Sequence, residues 1–212
     1  MNNLSFTADL LDSQTRSSGP STDSVPMASP EAEIQEHAYR ADKILHHPGR
    51  LETLIRGVTT VPITIKISIS DLCNHDCSFC SFRMEDNSNN EWFGIEISDG
   101  RQNNPSRRIP TAKAVELLSD MASMGVRAIE FTGGGEPTAH PEHASIFEHC
   151  LALGMDAALI TNGQLMRPKL DPILERFTWI RVSIDAAHAS TWARVRRVSE
   201  RKFPRVLSNA RR

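Results

Sequence analysis

Four short apolar stretches that alternate with helical patterns limit most strongly how this chain can fold. The first contains a β-branched alternation, Ile-Thr-Ile-Lys-Ile-Ser-Ile, which predicts a strand. Strands are predicted at 63–69, 127–131, 157–160 and 179–184. Helices are predicted at about 111–124, 141–153 and 172–177, and from about 190 onward. Strands that alternate with helices at this spacing indicate βαβ units and therefore an α/β fold with a parallel sheet.

Every predicted strand ends in a short motif rich in Cys, Gly or polar residues. The motifs are Cys73-Asn-His-Asp-Cys77-Ser-Phe-Cys80, Thr132-Gly-Gly-Gly-Glu-Pro137, Thr161-Asn162-Gly163, and Ser183 with Asp185. In parallel sheets, ligands bind at the carboxyl ends of the strands, where loops carry the chemistry. We therefore expect the four motifs to meet on one rim of the sheet.

The three clustered cysteines indicate a metal centre. Their CxxxCxxC spacing lets Cys73, Cys77 and Cys80 converge on one iron–sulfur cluster and leaves one iron without a protein ligand. A structural zinc site is the alternative, with its fourth ligand from His75 or Cys150. We expect Cys150 to be a core residue of a helix and His75 to lie in an exposed loop.

The first part of the chain is predicted to lie outside the sheet. Residues 1–28 are rich in Ser, Thr, Asn and Asp and are predicted to be a disordered tail. Residues 29–61 are predicted to be an N-terminal helical segment. Its first helix runs to about His46, where Pro48 and Gly49 interrupt it, and a second short helix follows near 51–56.

Residues 62–212 form one predicted domain. Within it, 85–110 is predicted to be a long polar loop around Trp92 and Phe93. These two aromatic residues are expected to anchor the loop, and the alternative is that they line a substrate pocket.

Composition limits the partners and the location that we expect. The formal net charge is −2, so no clear nucleic-acid surface is expected. No stretch approaches the ~20 apolar residues that span a bilayer, so no membrane partner is expected. Four cysteines, three of them within eight positions, make a poor disulfide framework, which favours a reducing, cytoplasmic location.

These motifs together resemble those of the radical S-adenosylmethionine (SAM) superfamily. The resemblance covers about residues 62–210 and consists of the CxxxCxxC motif, the aromatic Phe79 before its third cysteine, and Gly134-Gly135-Glu136 after the second strand. The family barrel usually has six strand–helix units, so the implied fold is a partial (β/α) barrel, shortened at its C-terminus. The resemblance implies a [4Fe-4S] cluster on the three cysteines and SAM bound beside it.

The resemblance also implies which residues bind SAM. Gly134, Gly135 and Glu136 would hold its methionyl ammonium through backbone carbonyls, at a place where a side chain would block the ligand. The other matching positions are Phe79, the aromatic residue before the third cysteine; Thr161 and Asn162, near the nucleoside; Ser183, near the carboxylate or ribose; and Arg196, near the carboxylate. On local sequence alone, the Gly-Gly and Thr-Asn-Gly segments are equally compatible with plain turns. Glu136 is equally compatible with an acid in the first turn of a helix, and Ser183 with a side chain that faces the barrel.

The charged residues after the fourth strand are interpreted separately. Asp185 is expected to cap the following helix, and substrate binding is the alternative. Arg194 and Arg197 are expected to lie on a solvated basic face. No catalytic residue is assigned.

The implied activity is that of a radical SAM enzyme. SAM would be cleaved reductively to a 5′-deoxyadenosyl radical, which abstracts hydrogen from an unidentified substrate, by analogy a peptide or a cofactor precursor. An external one-electron donor such as a flavodoxin is the implied partner. Two alternatives stay open: a catalytically incomplete iron–sulfur module that acts with a partner chain, and a nucleoside- or RNA-modifying enzyme of the same family.

Overall fold

The computed structural model describes residues 37–83 and 107–212. The predicted tail at 1–28, the start of the first predicted helix, and Trp92 and Phe93 of the predicted loop lie outside the described residues. Within the two described ranges, no helix is long and apolar enough to cross a membrane.

Four parallel strands form one sheet in the described residues, in the order in which they occur along the chain. They are β1 (Thr64–Ile67), β2 (Ala128–Phe131), β3 (Asp156–Thr161) and β4 (Trp179–Val182). The register places Ile67 beside Phe131 and Phe131 beside Leu159, so the carboxyl ends of neighbouring strands lie on the same edge. The predicted α/β fold with a parallel sheet is confirmed.

Six α-helices accompany the sheet in this part of the chain. They are α1 (Pro48–Ile55), α2 (Thr111–Ser123), α3 (His143–Ala152), α4 (Asp171–Leu174), α5 (Ala189–Arg196) and α6 (Phe203–Arg211). The helices predicted from about residue 111 onward correspond to α2, α3, α4 and α5. The sequence predicts a single final helix, whereas in the structure α5 ends at Arg196, Arg197 has a left-handed backbone (φ 51°), and α6 begins at Phe203.

The N-terminal segment differs from its prediction between residues 37 and 47. Instead of one helix ending near His46, the chain forms two 3-10 turns, His37–Tyr39 and Lys43–His46. The hydroxyl of Tyr39 donates to the carbonyl oxygens of Ile129 and Asp156, at 2.9 and 3.0 Å, which fixes this segment against the sheet. Pro48 occupies the first turn of α1, so it starts a helix where an interruption was expected.

The core lies between one face of the sheet and helices α2, α3 and α4. The ring of Phe147 in α3 lies 4.6 Å from that of Phe131 in β2 and 5.3 Å from that of Phe177, measured between centroids. Cys150 of α3 is fully buried in the same cluster, which confirms its prediction as a core residue.

Two isoleucines in helices provide a matched test of this core. Ile146 in α3 is fully buried, and Ile55 at the end of α1 is 77% exposed. We expect Ile146→Ala to lower the free energy of unfolding by about 2–5 kcal/mol, because it leaves a cavity. Ile55→Ala should change it by less than about 0.5 kcal/mol. Denaturant titration of both variants checks this, and equal losses would contradict the assignment of the core.

Candidate active site and cofactor cavity

The strand-end motifs line one cavity of about 290 Å³ at the carboxyl edge of the sheet. Its wall includes every residue that the resemblance assigns to the cluster or to SAM: Cys73, Cys77, Phe79, Cys80, Gly134, Gly135, Glu136, Thr161, Asn162, Ser183 and Arg196. A neighbouring cavity of about 370 Å³, lined in part by Leu72 and Asn74, contains none of them. The motifs therefore meet on one rim as expected, while the roles of the individual residues remain predictions.

The three cysteines of the motif are half-buried in the wall of this cavity. The chain's four cysteines, all within the described residues, form no disulfide. Asn162 Nδ2 lies 4.0 Å from the sulfur of Cys73, and Arg196 Nη1 lies 3.6 Å from that of Cys77. Burial raises the pKa of the Cys77 thiol, and the positive charge of Arg196 opposes this rise. Such N–H donors favour the thiolate, which is the form that binds iron.

The two residues considered as a fourth zinc ligand lie elsewhere. Cys150 is buried in α3, where burial raises the pKa of its thiol to about 12. His75 is 3% exposed, so the expectation of an exposed loop residue is wrong. Its Nε2 atom hydrogen-bonds Gln164 Oε1 at 2.8 Å, its ring packs edge-on against Trp192, and burial lowers its pKa to about 4. In residues 37–83 and 107–212, no three His, Cys, Asp or Glu side chains are arranged to hold a single metal ion.

The side chain of Glu136 joins the ends of two strands. Its Oε1 accepts hydrogen bonds from the Thr161 hydroxyl at 2.7 Å and from the backbone N–H of Thr138 at 3.1 Å. Its Oε2 accepts from the backbone N–H of Asn162 at 2.7 Å. The Glu136 backbone N–H in turn donates to the carbonyl of Leu72, beside the first cysteine, at 2.9 Å. This carboxylate therefore has a structural function, and a ligand would meet the backbone of this segment.

The glycines before Glu136 allow two loops to pack backbone against backbone. A Cβ added to Gly135 would lie 2.3 Å from the Ser70 carbonyl oxygen and 2.6 Å from that of Leu72. Gly133 has φ +118°, a conformation that favours glycine, and a Cβ there would overlap Ser68. The expected reason for glycine was room for a ligand. At Gly133 and Gly135 the chain that leads into the cysteine motif also leaves no room for a Cβ, and the expected room for SAM at Gly134 and Gly135 stays a prediction.

Arg196 is the charged centre of the opposite wall. It is 4% exposed, forms an ion pair with Asp185, donates to the Ser183 carbonyl, and lies 5.7 Å from the centroid of the Phe79 ring. Asp185 does not cap α5, since His188 holds the N-cap position, so that expectation is wrong. Asp185 instead has a left-handed backbone, φ 62°, and faces the arginine.

The other two arginines of this segment differ from Arg196. Arg194 and Arg197 are exposed, in agreement with the expected solvated face. The carbonyls at the end of α5 nevertheless accept hydrogen bonds from the cysteine loop. The Asp76 N–H donates to Arg196 O at 3.2 Å, and the Ser78 N–H donates to Val195 O at 2.9 Å. The sequence contains no signal for this contact, because it joins backbone groups far apart in the chain.

The wall of the cavity suits the cofactors that the resemblance implies. Three thiols of one loop are the donor set of a cluster that keeps one iron open. The buried Nε atom of Arg196 has no hydrogen-bond partner among the described residues, so it keeps a donor for an anionic group such as a carboxylate. Phe79 is 52% exposed and offers a ring face for stacking.

Residues 67–212 match the model of the radical SAM superfamily. The match covers more than half of the chain, which therefore belongs to this family. The predicted partial (β/α) barrel of radical SAM type is confirmed, with four parallel strands in the described residues.

Known proteins resemble this chain over part of their length. The GTP 3′,8-cyclase of Chlorobaculum tepidum is 30% identical over 113 residues, which are 52% of this chain and 29% of that protein. The PqqA peptide cyclase of Rhodopseudomonas palustris is 26% identical over 137 residues, 64% of this chain and 32% of that protein. The chain thus spans about a third of the length of the curated relatives it matches.

A solved structure shows the same fold. Streptococcus suis SuiB, bound to the precursor peptide SuiA, superposes with a TM-score of 0.55 at 16% sequence identity. The match covers 78% of this chain and 34% of SuiB. At this identity the likeness concerns the fold alone.

Glu136→Gln tests the connection between the strand ends. The amide places an N–H₂ group against N–H and O–H donors, so we expect the free energy of unfolding to fall by about 1.5–3 kcal/mol. Glu148→Gln, an exposed position of α3, is the matched control and should be neutral. Denaturant unfolding measures both, and an unchanged stability of Glu136→Gln would contradict the structural function of its carboxylate.

Proposed function

We propose that Cys73, Cys77 and Cys80 hold the [4Fe-4S] cluster and that SAM binds in the adjoining cavity. The single observation that supports this most strongly is that the three thiols and all predicted SAM-binding residues line the same cavity. When bound, the reduced cluster supplies one electron that cleaves SAM to methionine and a 5′-deoxyadenosyl radical, which removes a hydrogen atom from the substrate.

The chain's own residues bind and orient the cofactors in this proposal. The backbone carbonyls of Gly134, Gly135 and Glu136 accept from the SAM ammonium. Arg196 donates to an anionic group, which is either the carboxylate of SAM or the thiolate of Cys77. The ion pair between Arg196 and Asp185 holds the guanidinium in place. Phe79 stacks against the adenine.

The remaining polar residues of the wall bind the rest of SAM. Thr161 and Asn162 lie beside its nucleoside, and Ser183 lies beside its ribose or carboxylate. Asn162 is already fixed from two sides, since its backbone N–H donates to Glu136 and its Nδ2 donates to Asn74 Oδ1 at 2.8 Å. Such a pre-ordered wall binds a ligand without losing much side-chain entropy.

We further propose that the substrate is a peptide or a cofactor precursor. One matching curated relative is a PqqA peptide cyclase, and the SuiB structure contains a precursor peptide. A nucleotide is the second candidate, because a GTP 3′,8-cyclase is among the matching relatives. The electron donor is an external protein such as a flavodoxin, and the reducing cytoplasm is the location that suits thiol ligands.

Cys77→Ala and Cys150→Ala form a matched pair for the cluster. After anaerobic reconstitution with iron and sulfide, we expect Cys77→Ala to lose most of the cluster absorbance and to form no 5′-deoxyadenosine from SAM under dithionite. Cys150→Ala removes a thiol that lies in the core, so it should keep the absorbance and the reaction. Loaded wild-type chain that forms no 5′-deoxyadenosine would contradict the proposed reaction and favour an incomplete module that needs a partner chain.

Deuterium transfer distinguishes the substrate classes. The loaded enzyme is incubated with SAM, dithionite and either the peptide or the nucleotide fraction of a fully deuterated cell extract. The proposal predicts that deuterium appears in 5′-deoxyadenosine with the peptide fraction, because the radical takes its hydrogen from the substrate. Transfer from the nucleotide fraction alone would overturn the peptide assignment and leave the cluster assignment intact. Mass spectrometry of 5′-deoxyadenosine measures both.

A further inference from the structure

Positive charge is concentrated in one helical hairpin of a chain that is otherwise acidic. Residues 189–212, which comprise α5, the turn after it and α6, contain eight of the 24 Lys and Arg residues and one of the 26 Asp and Glu residues. The whole chain has a formal net charge of −2. The hairpin is therefore a local positive surface that the net charge conceals.

Part of this charge is neutralised by neighbours. Arg196 pairs with Asp185, Arg197 lies 3.6 Å from Asp76, and Arg212 lies 2.6 Å from Asp171. Four other arginines of the hairpin are exposed and have no ion pair within residues 37–83 and 107–212: Arg194, Arg201, Arg205 and Arg211. We call these four residues the basic patch.

The hairpin that bears the basic patch contacts the cysteine loop directly. The backbone N–H groups of Asp76 and Ser78, on either side of Cys77, donate to the carbonyls of Arg196 and Val195. Asp76 and Ser78 are exposed, whereas the Cys77 sulfur faces the cavity. A protein bound over the hairpin would therefore approach the cluster loop from its solvent side, without entering the SAM cavity.

We infer that the basic patch is the docking surface of an acidic one-electron donor protein. The inference rests on the proposed function, which needs one electron delivered to the cluster for each SAM cleaved. In the transfer, the donor loses one electron and the oxidised cluster gains it, and no bond or proton moves. Opposite charges on two surfaces speed their encounter and fix their orientation.

A nucleic acid is the other polyanion that such a surface could bind. Single-stranded nucleic acids bind where exposed aromatic rings alternate with basic residues, because their bases stack on those rings. The aromatic residues of the hairpin are Trp192 and Phe203, and both are buried, with their ring centroids 5.4 Å apart. The hairpin is thus positively charged but exposes no aromatic ring on which bases could stack, which favours a protein partner.

The test compares two double variants with the same change in charge. Arg201→Glu/Arg205→Glu reverses two charges of the basic patch, and Arg56→Glu/Arg176→Glu reverses two exposed arginines outside the hairpin. Each reconstituted chain is mixed anaerobically with fully reduced flavodoxin, an acidic donor, and bleaching of the cluster is followed by stopped flow. Dithionite, which needs no docking surface, is the parallel reductant.

We expect the rate with flavodoxin to fall about tenfold or more in Arg201→Glu/Arg205→Glu at low salt and to remain near the wild-type rate in the control. High salt should lower the wild-type rate with flavodoxin to near that of Arg201→Glu/Arg205→Glu, because salt screens exposed charges. Dithionite should reduce all three chains equally.

The other outcomes distinguish a failure of the docking inference from a failure of the proposed function. If dithionite bleaches every chain but the flavodoxin rate is the same in both double variants, the docking inference is overturned and the proposed function stands. If dithionite bleaches nothing in the reconstituted wild type, the proposed function fails and the docking inference with it. Binding of single-stranded RNA that is tighter than that of flavodoxin and is lost with the patch would assign the patch to nucleic acid instead.

Discussion

The buried carboxylate of Glu136 is the contact on which the geometry of the site depends. It accepts hydrogen bonds from Thr161 and from the backbone of Asn162, while its own N–H donates to Leu72 beside the cysteine motif. A buried carboxylate is stable only when such donors surround it. One residue therefore fixes the ends of β2 and β3 and the start of the loop that bears the thiols, and Gly135 permits the close approach.

The sheet and the site motifs could be predicted because their signals are local. A β-branched alternation marks β1, and the glycines and cysteines stand directly after strand ends, where a parallel sheet brings loops together. The sequence does not show which of the three arginines Arg194, Arg196 and Arg197 belongs to the site, since their spacing alone does not distinguish them. The burial of Arg196 depends on Ser183 and Asp185.

The features that were not predicted depend on partners far away in the sequence. His75 is buried because Gln164, 89 positions later, accepts its hydrogen bond. Tyr39 holds the N-terminal segment in turns through carbonyls 90 and 117 positions away, which outweighs the local preference for a helix. Asp185 pairs with Arg196, so it is not available as a helix cap. In each case a tertiary contact overrides the preference of the local sequence.

Mössbauer spectroscopy of the ⁵⁷Fe-reconstituted chain, with and without SAM, tests most directly that three thiolates hold a cluster with one open iron. We expect a [4Fe-4S] signal in which one iron of the four changes its isomer shift when SAM is added, because that iron alone has no protein ligand. Four irons that remain equivalent after SAM is added, or iron that is not assembled into a cluster, would contradict it.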